Sequence, residues 1–139
     1  MNRLRVEHIG VWVRDLERMR EFYVNQLGGQ AGPLYENPQN GFRSHFISFD
    51  RDTRIELMSR ADRLDCAEPP VGEGHTHVAF ALPSATAVDD IVERLGSAGV
   101  VVVGQPRTTG DGYYEAVVED PEGNRIEFVG ERRSPTSTS

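Results

Sequence analysis

Four side chains with metal-binding or proton-transfer chemistry recur at matched intervals in this sequence. His8 opens the run His-Ile-Gly-Val-Trp, and His77 opens His-Val-Ala-Phe-Ala. Glu56 sits in Thr-Arg-Ile-Glu-Leu-Met (53–58), and Glu127 in Asn-Arg-Ile-Glu-Phe-Val (124–129). The two histidines are 69 residues apart and the two glutamates 71 apart. Two separate matches at nearly one offset indicate an internal repeat. Alone, a strand Glu is usually solvent-facing and a lone His is usually a satisfied core group. Repetition in register changes the weighing. Two imidazoles and two carboxylates suit a divalent first-row ion such as Ni, Zn, Co, Mn or Fe, with positions left open for water or substrate.

The elements that must carry these residues follow from the hydrophobic pattern. Residues 5–13 alternate as a strand, which sets His8 on one face with Val6 and Gly10. Asp15 is a candidate N-cap, and Leu16, Met19, Phe22, Tyr23 and Leu27 fall at helical spacing before Gly28-Gly29. Strands are expected near 31–35, 43–50 and 53–59. The second half repeats the order: a strand at 76–82, Ser84 as N-cap, and a helical stripe of Ala87, Val88, Ile91, Val92 and Leu95. Strands follow near 101–105, 113–119 and 124–129, the last two joined by the turn Asp120-Pro121-Glu122-Gly123. The expected class is therefore α+β, as two paired β-α-β-β-β modules with cupped mixed sheets. The modules cover 4–59 and 75–130 of a single domain (1–139), with a Pro/Gly-rich linker at 60–74 and a flexible tail at 131–139. Alternation puts Ile9, Ile55, Val78 and Ile126 under the helices and His8, Glu56, His77 and Glu127 on the concave face. Pseudo-two-fold pairing of the halves would make all four converge.

Composition narrows the function. The 139 residues are 37% hydrophobic and 27% charged, which suits a soluble globular chain. A net charge of −7 argues against nucleic acid and anionic membrane surfaces as partners. No apolar run nears the roughly 18 residues of a membrane span, and the first residues lack an apolar signal region. One cysteine excludes an intrachain disulfide and a Cys-based zinc site. The expected location is the cytoplasm. All 15 basic residues are Arg, so lysine Schiff-base chemistry is absent.

Smaller candidates have plainer readings. His75 shares the face of His77 and is an alternative ligand, or the fraying start of a strand. His45 either lines a pocket or is an ordinary half-exposed histidine, and we take the second. Cys66 has no adjacent base. Arg54 and Arg125 each lie two residues from a ligand candidate on the same face, where either can steady a carboxylate or a substrate anion. Arg14, Arg18, Arg20 and Arg94 read as solvated helix surface. Trp12, Phe46, Tyr113 and Tyr114 can supply an aromatic stacking surface.

The chain resembles the vicinal oxygen chelate superfamily, also called glyoxalase/bleomycin-resistance/dioxygenase. The motifs are Glu-His-Ile-Gly-Val-Trp-Val-Arg-Asp-Leu (7–16), Phe22-Tyr23, Leu27-Gly28, Arg-Ile-Glu-Leu-Met (54–58), His-Val-Ala-Phe (77–80) and Asp-Pro-Glu-Gly-Asn-Arg-Ile-Glu (120–127). The resemblance implies sites in cupped sheets, often at a dimer interface, and hence a homodimer acting on a small molecule. The His/Glu/His/Glu set resembles that of glyoxalase I, or lactoylglutathione lyase, which isomerises a 2-oxoaldehyde–thiol adduct through a metal-bound enediolate. Carried over, His8, Glu56, His77 and Glu127 are the metal ligands, Glu127 is the candidate base and Glu56 its opposite-face partner. The alternatives are a methylmalonyl-CoA-type epimerase, a thiol transferase, a ring-cleaving dioxygenase, or a non-catalytic drug-binding protein of the bleomycin-resistance kind. No glutathione-binding Arg and Asn set is assignable.

Overall fold

The computed structural model describes residues 6–51, 53–61, 77–109 and 112–130. The chain divides into two units, Met1–Pro69 and Pro70–Ser139. In the first, β1 (His8–Trp12) leads into α1 (Leu16–Glu21), then β2 (Gln30–Ala31), β3 (Tyr35–Asn37), β4 (Phe42–Ser48) and β5 (Arg54–Ser59). In the second, β6 (His77–Leu82) leads into α2 (Ala85–Ser97), then β7 (Val102–Thr108), β8 (Tyr114–Glu119) and β9 (Arg125–Gly130).

Both helices begin where a side-chain oxygen can satisfy an otherwise orphaned amide. The Arg18 amide donates to Asp15 Oδ1 at 3.0 Å, and the Ala87 amide donates to Ser84 Oγ at 3.1 Å. The first helix departs from the expected α-helix over 16–27. After Glu21 it widens into a π-helical turn, Phe22–Gln26, with Phe22 and Tyr23 both buried beside Leu16 and Met19. The chain then turns at Gly28, and the Gly29 amide reaches back to the Tyr23 carbonyl at 3.0 Å. A side chain at Gly29 is excluded by packing, since its Cβ would fall 2.4 Å from Ile47 Cγ2.

The first sheet has the order β1-β5-β4-β2, with β3 also paired to β4. The strand expected near 31–35 is therefore two short pieces along one edge of β4. Gly32 still donates to the Phe46 carbonyl at 2.8 Å, but Pro33 has no amide to continue the ladder. The second sheet has the order β6-β9-β8-β7. Pro106 and two register shifts fall on β7, an edge strand, where a missing donor is tolerated. In each sheet the first and last strands of the unit run parallel and side by side: β1 with β5, and β6 with β9.

The cores lie between helix and sheet. Met19, Ile47, Leu57 and Ile55 are buried in the first unit, and Val88, Leu95, Val118, Ile126 and Phe128 in the second. Among the described residues no helix is long and apolar enough to cross a membrane.

Candidate functional site

The parallel pairings carry the repeated residues in one shared register. His8 pairs with Arg54 and Gly10 with Glu56; His77 pairs with Arg125 and Ala79 with Glu127. Paired residues of neighbouring strands share a face and successive residues alternate. His8, Glu56 and Arg54 thus stand on the sheet face opposite the buried Ile55, as His77, Glu127 and Arg125 stand opposite the buried Ile126.

Each half-site sets a half-exposed histidine against a largely buried glutamate. His8 Nε2 lies 3.7 Å from Glu56 Oε1, with side chains 40% and 16% exposed. His77 Nε2 lies 3.0 Å from Glu127 Oε2, with side chains 41% and 14% exposed. Each glutamate has a residue with little or no side chain across the ladder, Gly10 or Ala79. A Cβ at Gly10 would meet Met58 Cε at 2.8 Å, so the glycine makes room for that side chain.

The structure brings His8 to Glu56 and His77 to Glu127, each pair within its own unit. Among the described residues no group of three or more His, Cys, Asp or Glu that could hold an ion is found. The donor chemistry of the pairs nevertheless fits a borderline divalent ion. Each offers an imidazole nitrogen and a largely buried carboxylate oxygen within 4 Å of one another.

Around His8 the face is aromatic and ordered by charge. The imidazole meets the Phe46 ring edge-to-face at 5.3 Å, and the Arg54 guanidinium lies 4.0 Å over the same ring. Arg54 and His8 both donate to the Glu7 carboxylate, which holds Glu7 below the ordinary carboxylate range, His8 being the larger influence. Farther along, Trp12 meets Phe42 at 6.2 Å and Tyr35 meets Phe42 at 6.0 Å. Trp12 and Tyr35 are 44% and 56% exposed. Of the four aromatics expected to form a stacking surface, Trp12 and Phe46 are on this face. Phe42 shares that face with Phe46 by alternation along β4, and pairing of β3 with β4 adds Tyr35, which alternation along β4 alone would not reveal.

Other candidates fall elsewhere. Tyr114 belongs to the second unit and its hydroxyl donates to Asp89 of α2 at 2.5 Å. That hydrogen bond stabilises the neutral phenol and raises its pKa above the usual tyrosine value. His45 is buried, not half-exposed. It shares the helix-facing side of β4 with Ile47, donates from Nδ1 to the Gly32 carbonyl at 2.9 Å, and points Nε2 at Glu17 Oε1, 3.4 Å away. Its place one residue from Phe46 puts it on the face away from Glu56. Arg20 and His45 together hold Glu17 below its usual pKa, Arg20 contributing more. His75, Cys66 and most of the expected linker lie outside the described residues.

The turn before β9 is tied by one carboxylate. Asp120 is buried, and its Oδ1 accepts from the backbone amides of Glu122 and Asn124, each at 2.9 Å. The Asn124 side-chain amide donates to the same carboxylate.

Comparison with known proteins agrees with this architecture. A lactoylglutathione lyase of Neisseria meningitidis (serogroup A) is 26% identical over 136 residues, covering 98% of this chain and 97% of that protein. The uncharacterized protein YqjT of Bacillus subtilis is 30% identical over 133 residues, covering 89% of this chain and 97% of that protein. In fold, a glyoxylase/bleomycin resistance protein/dioxygenase domain from Frankia sp. EAN1pec superposes with a TM-score of 0.79 at 19% identity, covering 96% of each chain. Residues 5–128 match the family described as the Glyoxalase/Bleomycin resistance protein/Dioxygenase superfamily, and the chain belongs to it.

Proposed function

We propose that the chain is a metal-dependent lyase of the glyoxalase I type, which isomerises the adduct of a small 2-oxoaldehyde and a thiol. The observation that carries the proposal is the duplicated His/Glu half-site, one pair in each unit in the same register. The similarity to a protein named lactoylglutathione lyase over nearly its whole length supports it.

In this reading His8, Glu56, His77 and Glu127 hold one divalent ion. Such an ion polarises neighbouring substrate oxygens and acidifies the adjacent C–H. Glu127 accepts that proton and returns it to the neighbouring carbon, converting the hemithioacetal to an α-hydroxy thioester with no net redox change. Glu56 is its partner on the opposite face of the substrate. The Trp12, Phe42 and Tyr35 surface binds an apolar part of the substrate. The working form is a homodimer with the site at or near the interface.

The test joins metal content to turnover. Purified protein equilibrated with nickel, zinc, cobalt, manganese or iron should retain about one ion per chain and form thioester from methylglyoxal and a thiol. Glu56→Gln and Glu127→Gln should each lower ion retention or turnover by at least an order of magnitude. Full metal content and activity in both variants would remove the four-ligand proposal.

The exposed aromatic face favours a second reading, a drug-binding protein that works by stacking. There, chelation of metal would leave ligand affinity unchanged, whereas the enzyme loses turnover on the same treatment.

A further inference from the structure

Glu7 is absorbed by none of the roles above, yet its carboxylate contacts both His8 and Arg54. Its two oxygens have different tasks. Oε1 accepts from Arg54, with Nε at 2.7 Å and a second, closer contact from the other guanidinium nitrogen. Oε2 lies 2.6 Å from His8 Nδ1. A carboxylate is acceptor-only when ionised, so Nδ1 carries the hydrogen and donates it. In the neutral ring Nε2, the nitrogen that faces Glu56, then keeps its lone pair.

Three further contacts lock this arrangement. The Arg54 amide donates to the Glu7 carbonyl at 2.9 Å, and Thr53 Oγ1 donates to the Val6 carbonyl at 2.9 Å, so the backbone before β1 is stitched to β5. Phe46 backs both the Arg54 guanidinium and the His8 ring. The second repeat has no equivalent carboxylate in sequence, since Thr76 precedes His77 where Glu7 precedes His8.

We infer that Glu7 is a positioning residue for His8: with Arg54 occupying its other oxygen, it fixes the imidazole in the Nδ1–H tautomer and aims Nε2 at the metal position. The inference rests on the metal-dependent reading for its functional meaning, but its structural core concerns the metal-free protein. An outer carboxylate of this kind sets tautomer and ring orientation and makes the coordinating nitrogen more basic; loss of one typically weakens metal binding about 10–100-fold.

The experiment uses ¹⁵N-labelled histidine in the metal-free protein, with His8 assigned by comparison with His8→Gln. At a pH where the ring is neutral, imidazole nitrogen shifts should show His8 as the Nδ1–H tautomer. Glu7→Gln retains an acceptor oxygen and should preserve that tautomer. Glu7→Leu should move His8 toward the Nε2–H form favoured by free imidazole. Zinc affinity by chelator competition should follow: roughly 10–100-fold weaker in Glu7→Leu and within a few-fold of the parent in Glu7→Gln. An unchanged tautomer in Glu7→Leu, or equal affinity in all three proteins, overturns the inference. If the parent protein binds no zinc, nickel or cobalt, the metal-dependent reading fails, and the tautomer comparison still decides the structural role of Glu7.

Discussion

Replacing Asp120 with alanine should destabilise the chain by about 2–3 kcal/mol, a large effect for a turn residue. The figure follows from the bonds the carboxylate makes. Alanine would strip two backbone amides, those of Glu122 and Asn124, of a charged acceptor, and would free the Asn124 side chain. Hydrogen bonds to charged groups are worth about 1.5–3 kcal/mol each, but Glu122 and Asn124 are only half-buried, so water recovers part of the loss. Two bonds at the low end of that range, discounted again for solvent access, leave about 2–3 kcal/mol. With an unfolding entropy of about 2.1 cal/mol/K per residue, the expected fall in Tm is about 7–10 °C. Urea denaturation followed by circular dichroism measures the change. Asp120→Asn, which keeps one acceptor oxygen, should recover about half of it. A loss below about 0.5 kcal/mol for Asp120→Ala would refute the reasoning, because it would mean that the turn holds itself without the carboxylate. The turn directly precedes β9, so the variant also tests how firmly Glu127 is placed.

Other expectations follow from the core and from one titrating pair. Leu57 is fully buried beneath the first unit's sheet, and Leu57→Ala should cost about 2–5 kcal/mol by denaturant titration. Gly123 has a φ of 84°, so Gly123→Ala should cost about 1 kcal/mol while leaving the far-ultraviolet spectrum intact. The hydrogen bond from Tyr114 to Asp89 raises the phenol pKa, so its stabilising effect is complete below the unfolded tyrosine pKa of about 10 and disappears as pH rises through the folded value. Ultraviolet titration of the phenols should show one tyrosine ionising late, and Asp89→Asn should bring it back toward the others.

The parts of the fold that depend on local chemistry were readable from sequence. Asp15 and Ser84 cap the helices they were expected to cap. The repeated His and Glu occupy strands in matching register, because alternation and the shared offset constrain both at once. What was not readable depends on partners distant in the chain. The exposure of His45 was misjudged because its partner Glu17 is 28 residues away on α1, and the burial comes from packing of the helix over β4. The contact of Glu7 with Arg54 spans 47 residues of chain and is not visible in the sequence around either residue. The π-helical turn after Glu21 escaped a pattern reading because no side-chain cap marks where it begins. Convergence of the two half-sites on one ion stays a proposal, tested by metal content.

The adjacency of the first and last strands in each unit has a kinetic consequence. Glu7 and Arg54 meet across 47 residues of chain, so the His8 half-site cannot form until almost the whole unit has been threaded into place. It should be among the last features to assemble. Among the described residues β1 and β6 are also terminal strands of their sheets, each paired with one neighbour. Peeling either strand away would separate an imidazole from its carboxylate while leaving the helix-covered core intact. If the pairs hold an ion as proposed, its loss would proceed through strand fraying, at a free energy well below that of global unfolding. Ion release would in that case track amide hydrogen exchange along His8–Trp12 and His77–Leu82 rather than the melting of the molecule.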